Sequence, residues 1–177
     1  MQQQYLFIML GFLGSGKSFV SRWLAPHTGA VYLRADALRL AMFGEDRPEL
    51  YTPENKALVN DAQAYAIQQI LEAGQSVVHD ANNNQYKTRQ EHVKVAHKYG
   101  AMPIVVWIDT PLDIAEERTE TRKVTEGHEL FAPNLVRTMA ARLEPPRDNE
   151  KVIRIDGMAS QEKQQQQFDE QLAKLTA

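Results

Sequence analysis

The sequence predicts an α/β domain built on a mostly parallel sheet, and three observations carry that prediction. Five short apolar runs rich in β-branched and aromatic residues recur along the chain, separated by segments with helical patterning. Four of them have an aspartate at or just beyond the C-terminal end: Asp36, Asp80, Asp109 and Asp156. The first run leads directly into a glycine-rich segment, Gly11 to Ser18. Strands that alternate with helices require right-handed crossovers and therefore a parallel sheet covered on both faces. In such sheets the carboxyl ends of the strands form the ligand-binding edge, which is where the aspartates gather.

The first strand is YLFIML, Tyr5 to Leu10, too short to span a bilayer and without the basic flank of a signal peptide. A helix opens after the glycine-rich segment, and AVYL forms the second strand. The segment from Thr52 reads as a long helix, with Thr52 as N-cap, Pro53 in the first helical position and Gly74 ending it. SVVHD is the third strand and PIVVWID the fourth, with Trp107 expected in the core. A further helix follows, with Thr110 as its expected N-cap, Pro111 at the first position and Asp113 at the third. KVIRID is the fifth strand. In the closing helix, about 160–176, Phe168, Leu172 and Leu175 fall on one stripe, and the glutamine run reads as its solvated face. No Pro-, Gly- or Ser-rich linker divides the 177 residues, so residues 1–177 read as a single domain.

Composition bounds the function. Hydrophobic residues at 43% and charged residues at 24% suit a globular domain with an ordinary core. The chain has no cysteine, which excludes disulfides and thiolate metal sites and fits a reducing cytoplasm. A net charge of −3 speaks against a long polynucleotide partner, which needs a basic stripe, and nothing suggests a membrane. Oligomeric state has no signature in the sequence.

Gly11-x-x-x-x-Gly16-Lys17-Ser18, after a strand and before a helix, is the Walker A pattern in the setting it requires. Glycines at Gly11, Gly14 and Gly16 let backbone N–H groups, that of Ser15 among them, approach phosphate oxygens. The helix N-terminus adds unpaired donors, Lys17 a compact positive charge, and Ser18 a hydroxyl ligand for Mg²⁺. A GTPase would need an Asn-Lys-x-Asp loop after a late strand, and the one Asn-Lys here lies inside a helix without the aspartate. A motor ATPase would follow its acidic strand with Asp-Glu, whereas Asp80 precedes Ala81. Phosphoryl transfer from ATP to a hydroxyl leads, and a nucleotide-binding regulator or an ATPase without acceptor is the alternative.

Three further segments, LRADALR, VVHDANNNQYKTR and DIAEERTETRK, resemble those of small P-loop kinases related to the kinase domain of polynucleotide 5′-kinase. Zeta-toxin-type and chloramphenicol phosphotransferases are more distant relatives. The resemblance extends from about Tyr5 to about Glu150. It implies the P-loop NTPase three-layer αβα fold, with a five-stranded parallel sheet in the order 2-3-1-4-5, and an ATP- and Mg²⁺-dependent kinase. By the same resemblance Asp36 is the general base toward the acceptor hydroxyl, and Arg39, Asn83 and Arg89 are substrate-binding. Asp80 supports Mg²⁺ through water and Ser18, and Arg118 and Arg122 are lid arginines within a lid at about 115–130. Arg118 and Arg122 lie four apart on one helix face. Asn82 and Asn84 read as turn residues, His79 reads as a packing or hydrogen-bonding group, and His92 and His97, five apart and not facing each other on a helix, are assigned no metal. Relatives place one proline and a glutamate after the lid; here two prolines and Glu150 stand there, a difference on the acceptor side. The acceptor itself is open among a 5′-hydroxyl nucleic acid, a nucleoside, a sugar and an antibiotic-like molecule.

Overall fold

The computed structural model describes residues 3–44, 48–126 and 134–177, with the side chains of 48 and 122–126 left out. Five strands form one sheet in the order β2-β3-β1-β4-β5, all neighbours parallel. They are β1 (Tyr5–Leu10), β2 (Val31–Arg34), β3 (Val77–Asp80), β4 (Met102–Asp109) and β5 (Val152–Asp156). The helices are α1 (Lys17–Thr28), α2 (Ala35–Phe43), α3 (Pro53–Glu72), α4 (Tyr86–Lys98), α5 (Leu112–Glu126), α6 (Leu135–Ala141) and α7 (Gln161–Thr176).

The unbroken apolar character of β1 has its reason in burial on both faces. Leu6 and Ile8 meet Ile67 and Leu71 of α3 and Ala96 of α4 on one side. Phe7 and Met9 meet Val20, Trp23 and Leu24 of α1 and Phe168 of α7 on the other. Side chains alternate across a strand, so one six-residue run feeds two cores. Each full burial of such a side chain contributes roughly 1.5–3 kcal/mol. β1 is the central strand, and its C-terminal end delivers the glycine loop to the middle of the sheet edge.

Caps terminate the helices where the sequence indicated for α3: the Thr52 hydroxyl accepts from Asn55 N–H at 3.2 Å, and Pro53 opens the helix. For α5 the expectation was wrong by a residue. The helix begins at Leu112, and the Thr110 hydroxyl, rather than capping, donates to the Ser15 carbonyl at 2.7 Å. Trp107 is only half-buried, because β4 turns that side chain out beneath the Arg154 guanidinium, 4.9 Å from the ring centroid.

The glutamine run is also not simply a solvated face. β5 is an edge strand, and α7 covers its open side with side-chain amides. Gln171 accepts from Arg154 N–H at 2.9 Å and donates to the Arg154 carbonyl at 2.8 Å. Gln167 accepts from Asp156 N–H at 3.0 Å, and the buried Gln164 donates to the Asp156 carbonyl at 3.0 Å. These amides stand where a sixth strand would, which blocks pairing with another chain.

Candidate active site

The loop from Gly11 to Gly16 takes positive φ at Gly11 (150°), Gly14 (79°) and Gly16 (99°). Gly14 is held to glycine twice over: a Cβ there would stand 2.2 Å from the Ala115 carbonyl oxygen and 2.6 Å from Thr119 Oγ1. The loop therefore packs directly on α5. Behind it, the Thr110 hydroxyl fixes Ser15, and Gly157 leaves room for that hydroxyl, because a Cβ at Gly157 would fall 1.8 Å from it. Loop, β4 and the turn after β5 are thus one interlocked piece, a junction that the motif pattern alone did not announce. Ser15 is buried and its hydroxyl has no partner among the described residues.

Lys17 opens α1. Its ammonium donates to the carbonyls of Gly11 and Phe12, the latter at 3.1 Å. Burial lowers its pKa to about 8, with the Asp80 carboxylate opposing the shift. Ser18 follows and is exposed. Asp80, the last residue of β3, is 8% exposed and accepts from the Tyr32 hydroxyl at 2.8 Å. Burial, and then Asp80, push the Tyr32 phenol far above its usual range, so it stays a proton donor to that carboxylate. Tyr32 is a residue the sequence reading missed; its only signal was an aromatic in the strand that pairs with β3.

Asp36 lies in the first turn of α2, two residues beyond the end of β2 rather than at the strand end itself. Its side chain is 55% exposed and receives both Nε (3.1 Å) and Nη2 (2.6 Å) of Arg34, with Ala37 N–H at 2.8 Å. Burial acts to raise the carboxyl pKa, but the Arg34 and Ala37 bonds outweigh it and hold it below the usual carboxylate range. Arg39, one turn on, donates to the Tyr51 hydroxyl at 3.0 Å and stacks over that ring. From α5, Arg118 reaches back to the loop: it donates to the Gly157 carbonyl at 3.1 Å, and its Nη1 lies 3.8 Å from where a Gly16 Cβ would stand. The Arg122 side chain lies outside the described residues, as do lid residues 127–130.

Two expected substrate ligands are displaced into the interior. Arg89 is 0% exposed. It grips Glu150 with Nε–Oε1 at 2.8 Å and Nη2–Oε2 at 3.0 Å, and donates to the carbonyls of Asn83, Asn84, Glu144 and Pro145. No donor remains for a substrate, so Arg89 is a structural clamp, and Glu150 after the two prolines is its counter-ion. Asn83 is 1% exposed and donates to the Met9 carbonyl at 3.0 Å, tying the loop after β3 to β1. Asn84 is likewise buried rather than a surface turn residue. His79 faces away from the site, bonded to Gln63 at 2.7 Å and edge-on to His92 at 4.5 Å. Among the described residues no cluster of three His, Cys, Asp or Glu side chains could hold a metal by itself. No described helix is long and apolar enough to cross a membrane.

A glycine loop at the end of a central parallel strand, with the order 2-3-1-4-5 around it, defines a P-loop NTPase fold. The chain belongs to the AAA domain family, whose model matches residues 6–146. No curated protein matches it. Among solved structures it is similar to Kti12 of Chaetomium thermophilum in complex with ADP-AlF3, at 18% identity and a TM-score of 0.76, over 95% of this chain and 97% of that one. It is similar to the Mycobacterium tuberculosis APS kinase CysC in complex with AMPPNP and APS, at 20% identity and TM-score 0.66, over 98% and 99%. A chain of the Pnkp1/Rnl/Hen1 RNA repair complex matches at 23% identity and TM-score 0.69, over 81% of this chain and 45% of that one. At these identities the likeness carries the fold.

Proposed function

We propose that the protein is an ATP-dependent kinase that transfers the γ-phosphoryl group to a hydroxyl acceptor. The observation that carries the reading is the convergence at one sheet edge of the loop with Lys17, the exposed Asp36 carboxylate and the inward-reaching Arg118. In such a reaction the acceptor oxygen forms a bond to the γ-phosphorus while the bond to the β,γ-bridging oxygen breaks and its electron pair leaves with ADP. The transition state is loose, so positioning and charge neutralisation matter more than a strong base. That suits Asp36, which its depressed pKa keeps ionised as an acceptor for the hydroxyl hydrogen while leaving it a weak final proton sink. The proton then passes on to solvent, to which Asp36 is open.

The loop amides and Lys17 would bind the β- and γ-phosphates, with the ammonium released from the Gly11 and Phe12 carbonyls as phosphate arrives. Arg118, within reach of Gly16, would meet charge spreading over the transferred group. Arg39 borders the acceptor side from α2, and Arg122 is proposed as a second lid arginine. The Ser18 hydroxyl and, through water, Asp80 fit an Mg²⁺ ion: two oxygen donors and no protein cage, as expected of an ion that keeps its waters and the nucleotide's phosphates. Mg²⁺ supplies positive charge across the phosphates. Neighbours described as kinases, and as complexes with AMPPNP or ADP-AlF3, support the reading by analogy of fold.

The test is transfer of labelled γ-phosphate to a panel of hydroxyl compounds, including short 5′-hydroxyl oligonucleotides, nucleosides and sugars. Label should move to at least one acceptor, and Lys17→Ala should abolish that transfer in a folded protein. ATP hydrolysis indifferent to every acceptor would instead support the regulator or ATPase reading.

A further inference from the structure

Tyr32 and Arg34, two residues apart on β2, share one face of the sheet by strand alternation. Each meets a carboxylate of the proposed site. The Tyr32 hydroxyl donates to Asp80 Oδ2 at 2.8 Å. The Arg34 guanidinium, 5.9 Å from the Tyr32 ring centroid, takes Asp36 in a two-point fork. Arg34 is also the register partner of Asp80 across β2 and β3, and the Asp80 carboxylate acts in turn on Lys17. A row of Lys17, Asp80, Tyr32, Arg34 and Asp36 thus runs from the end of the glycine loop to the first turn of α2. The proposed function uses both ends of this row and gives Arg34 no part.

An ionised carboxylate has about four acceptor positions, two on each oxygen. Arg34 Nε at 3.1 Å and Ala37 N–H at 2.8 Å fill those of Asp36 Oδ1. Arg34 Nη2 at 2.6 Å takes one on Oδ2, so among the described residues a single acceptor position is left, on Oδ2. The two side chains are 41% and 55% exposed, and an ion pair so open to water adds little to stability. What the fork supplies is direction. A planar guanidinium that meets both oxygens fixes the plane of the carboxylate, which a single-point ammonium would not. We propose that Arg34 is a positioning residue for phosphoryl transfer, one that turns the free position of Asp36 Oδ2 toward the acceptor hydroxyl. The inference rests on the kinase reading for the reaction, though not for the hold on Asp36. Arg34 stays charged throughout and neither gives nor takes the proton.

The experiment joins a double-mutant cycle to a resonance that needs no catalysis. In the ¹⁵N-labelled full chain at neutral pH, the Arg34 Nε–H cross-peak should exchange slowly with solvent. Asp36→Ala should shift that peak and quicken its exchange. Transfer is then measured with the acceptor that the hydroxyl panel identifies. Arg34→Met should lower kcat by roughly tenfold or more, the cost of a misdirected carboxylate, with ATP affinity unchanged. Arg34→Lys should recover only part of that loss, because it restores the charge and not the fork. In an Asp36→Ala background, Arg34→Met should change kcat by less than about twofold, since the residue it acts through is gone. A full further loss in that background, or a rise in acceptor KM with kcat kept, would make Arg34 a direct substrate ligand and overturn the proposal. So would full activity in Arg34→Met or Arg34→Lys, or an Arg34 cross-peak indifferent to Asp36→Ala. Failure of the kinase reading looks different: no Lys17-dependent transfer to any compound, which ends the positioning role while the cross-peak still decides the hold on Asp36.

Discussion

Lys17 is held by its own loop before any nucleotide arrives, and burial has already brought its pKa down to about 8. Phosphate would stabilise the charged ammonium and raise that value again. The contribution of Lys17 to ATP affinity is then full below about pH 8 and is lost as pH rises through the bound-state pKa. Calorimetry in two buffers of different ionisation enthalpy should register proton uptake on ATP binding near pH 8.5–9, absent in Lys17→Met; uptake that persists in that variant would assign the proton elsewhere. Arg118 and Arg89 make the opposite pair of cases. Both are arginines in family-matched segments, yet one reaches the glycine loop and the other is sealed against Glu150. Arg118→Ala should lower kcat by about tenfold or more with little change in Tm. Arg89→Met should destabilise by about 3–5 kcal/mol in a urea titration, because it strands a buried carboxylate. The resemblance gave both arginines site roles. It could not show which had a buried carboxylate waiting, since Glu150 lies 61 positions away.

Among elements, the strands and most helices were readable because their signals are local: β-branched runs, Thr52-Pro53 at the head of α3, and the Phe168, Leu172, Leu175 stripe of α7. What α7 does with its other face was not readable, because it depends on β5 being the sheet edge. That is a property of topology, and topology came from the motif resemblance rather than from any periodicity. The same holds for Thr110, a good local N-cap that a non-local partner, Ser15, claims instead. Replacing Gln167 and Gln171 with Ala together should expose the N–H and carbonyl groups of Arg154 and of Asp156 N–H. Sedimentation velocity should show concentration-dependent association of that variant at a temperature where the parent is unchanged; an unassociated variant would mean that the amides do not protect the edge. Thr110→Val should weaken ATP binding more than it lowers Tm, since it frees the Ser15 carbonyl from a buried donor at the loop and leaves the strand intact.

Across the whole molecule, the P-loop edge of the sheet carries the proposed site, while an uncharged imidazole pair is built into the core behind β3. His79 donates from Nε2 to Gln63 Oε1, because the Gln63 amide nitrogen is already committed to the Val59 carbonyl. Burial depresses both imidazoles, His79 well below its usual range and His92 to about 4. A depressed folded-state pKa stabilises the fold above the unfolded value near 6.5, and that contribution is lost as pH falls from there toward about 4. Tm should therefore drop over this interval, and His92→Gln should flatten the slope; an equal slope in the variant would remove the pair from acid unfolding. Toward function, every proposed role converges on a hydroxyl arriving at Asp36 opposite a nucleotide held by Gly11 to Ser18. Asp36→Asn keeps the size of the side chain and the acceptor for Ala37 N–H, while removing the charge. The decisive measurement is ATP affinity by calorimetry beside phosphoryl transfer to the acceptor identified in the panel, on folded Asp36→Asn protein. A kinase of this design should keep its ATP affinity and lose transfer by roughly a hundredfold or more. Transfer at the parent rate would contradict it.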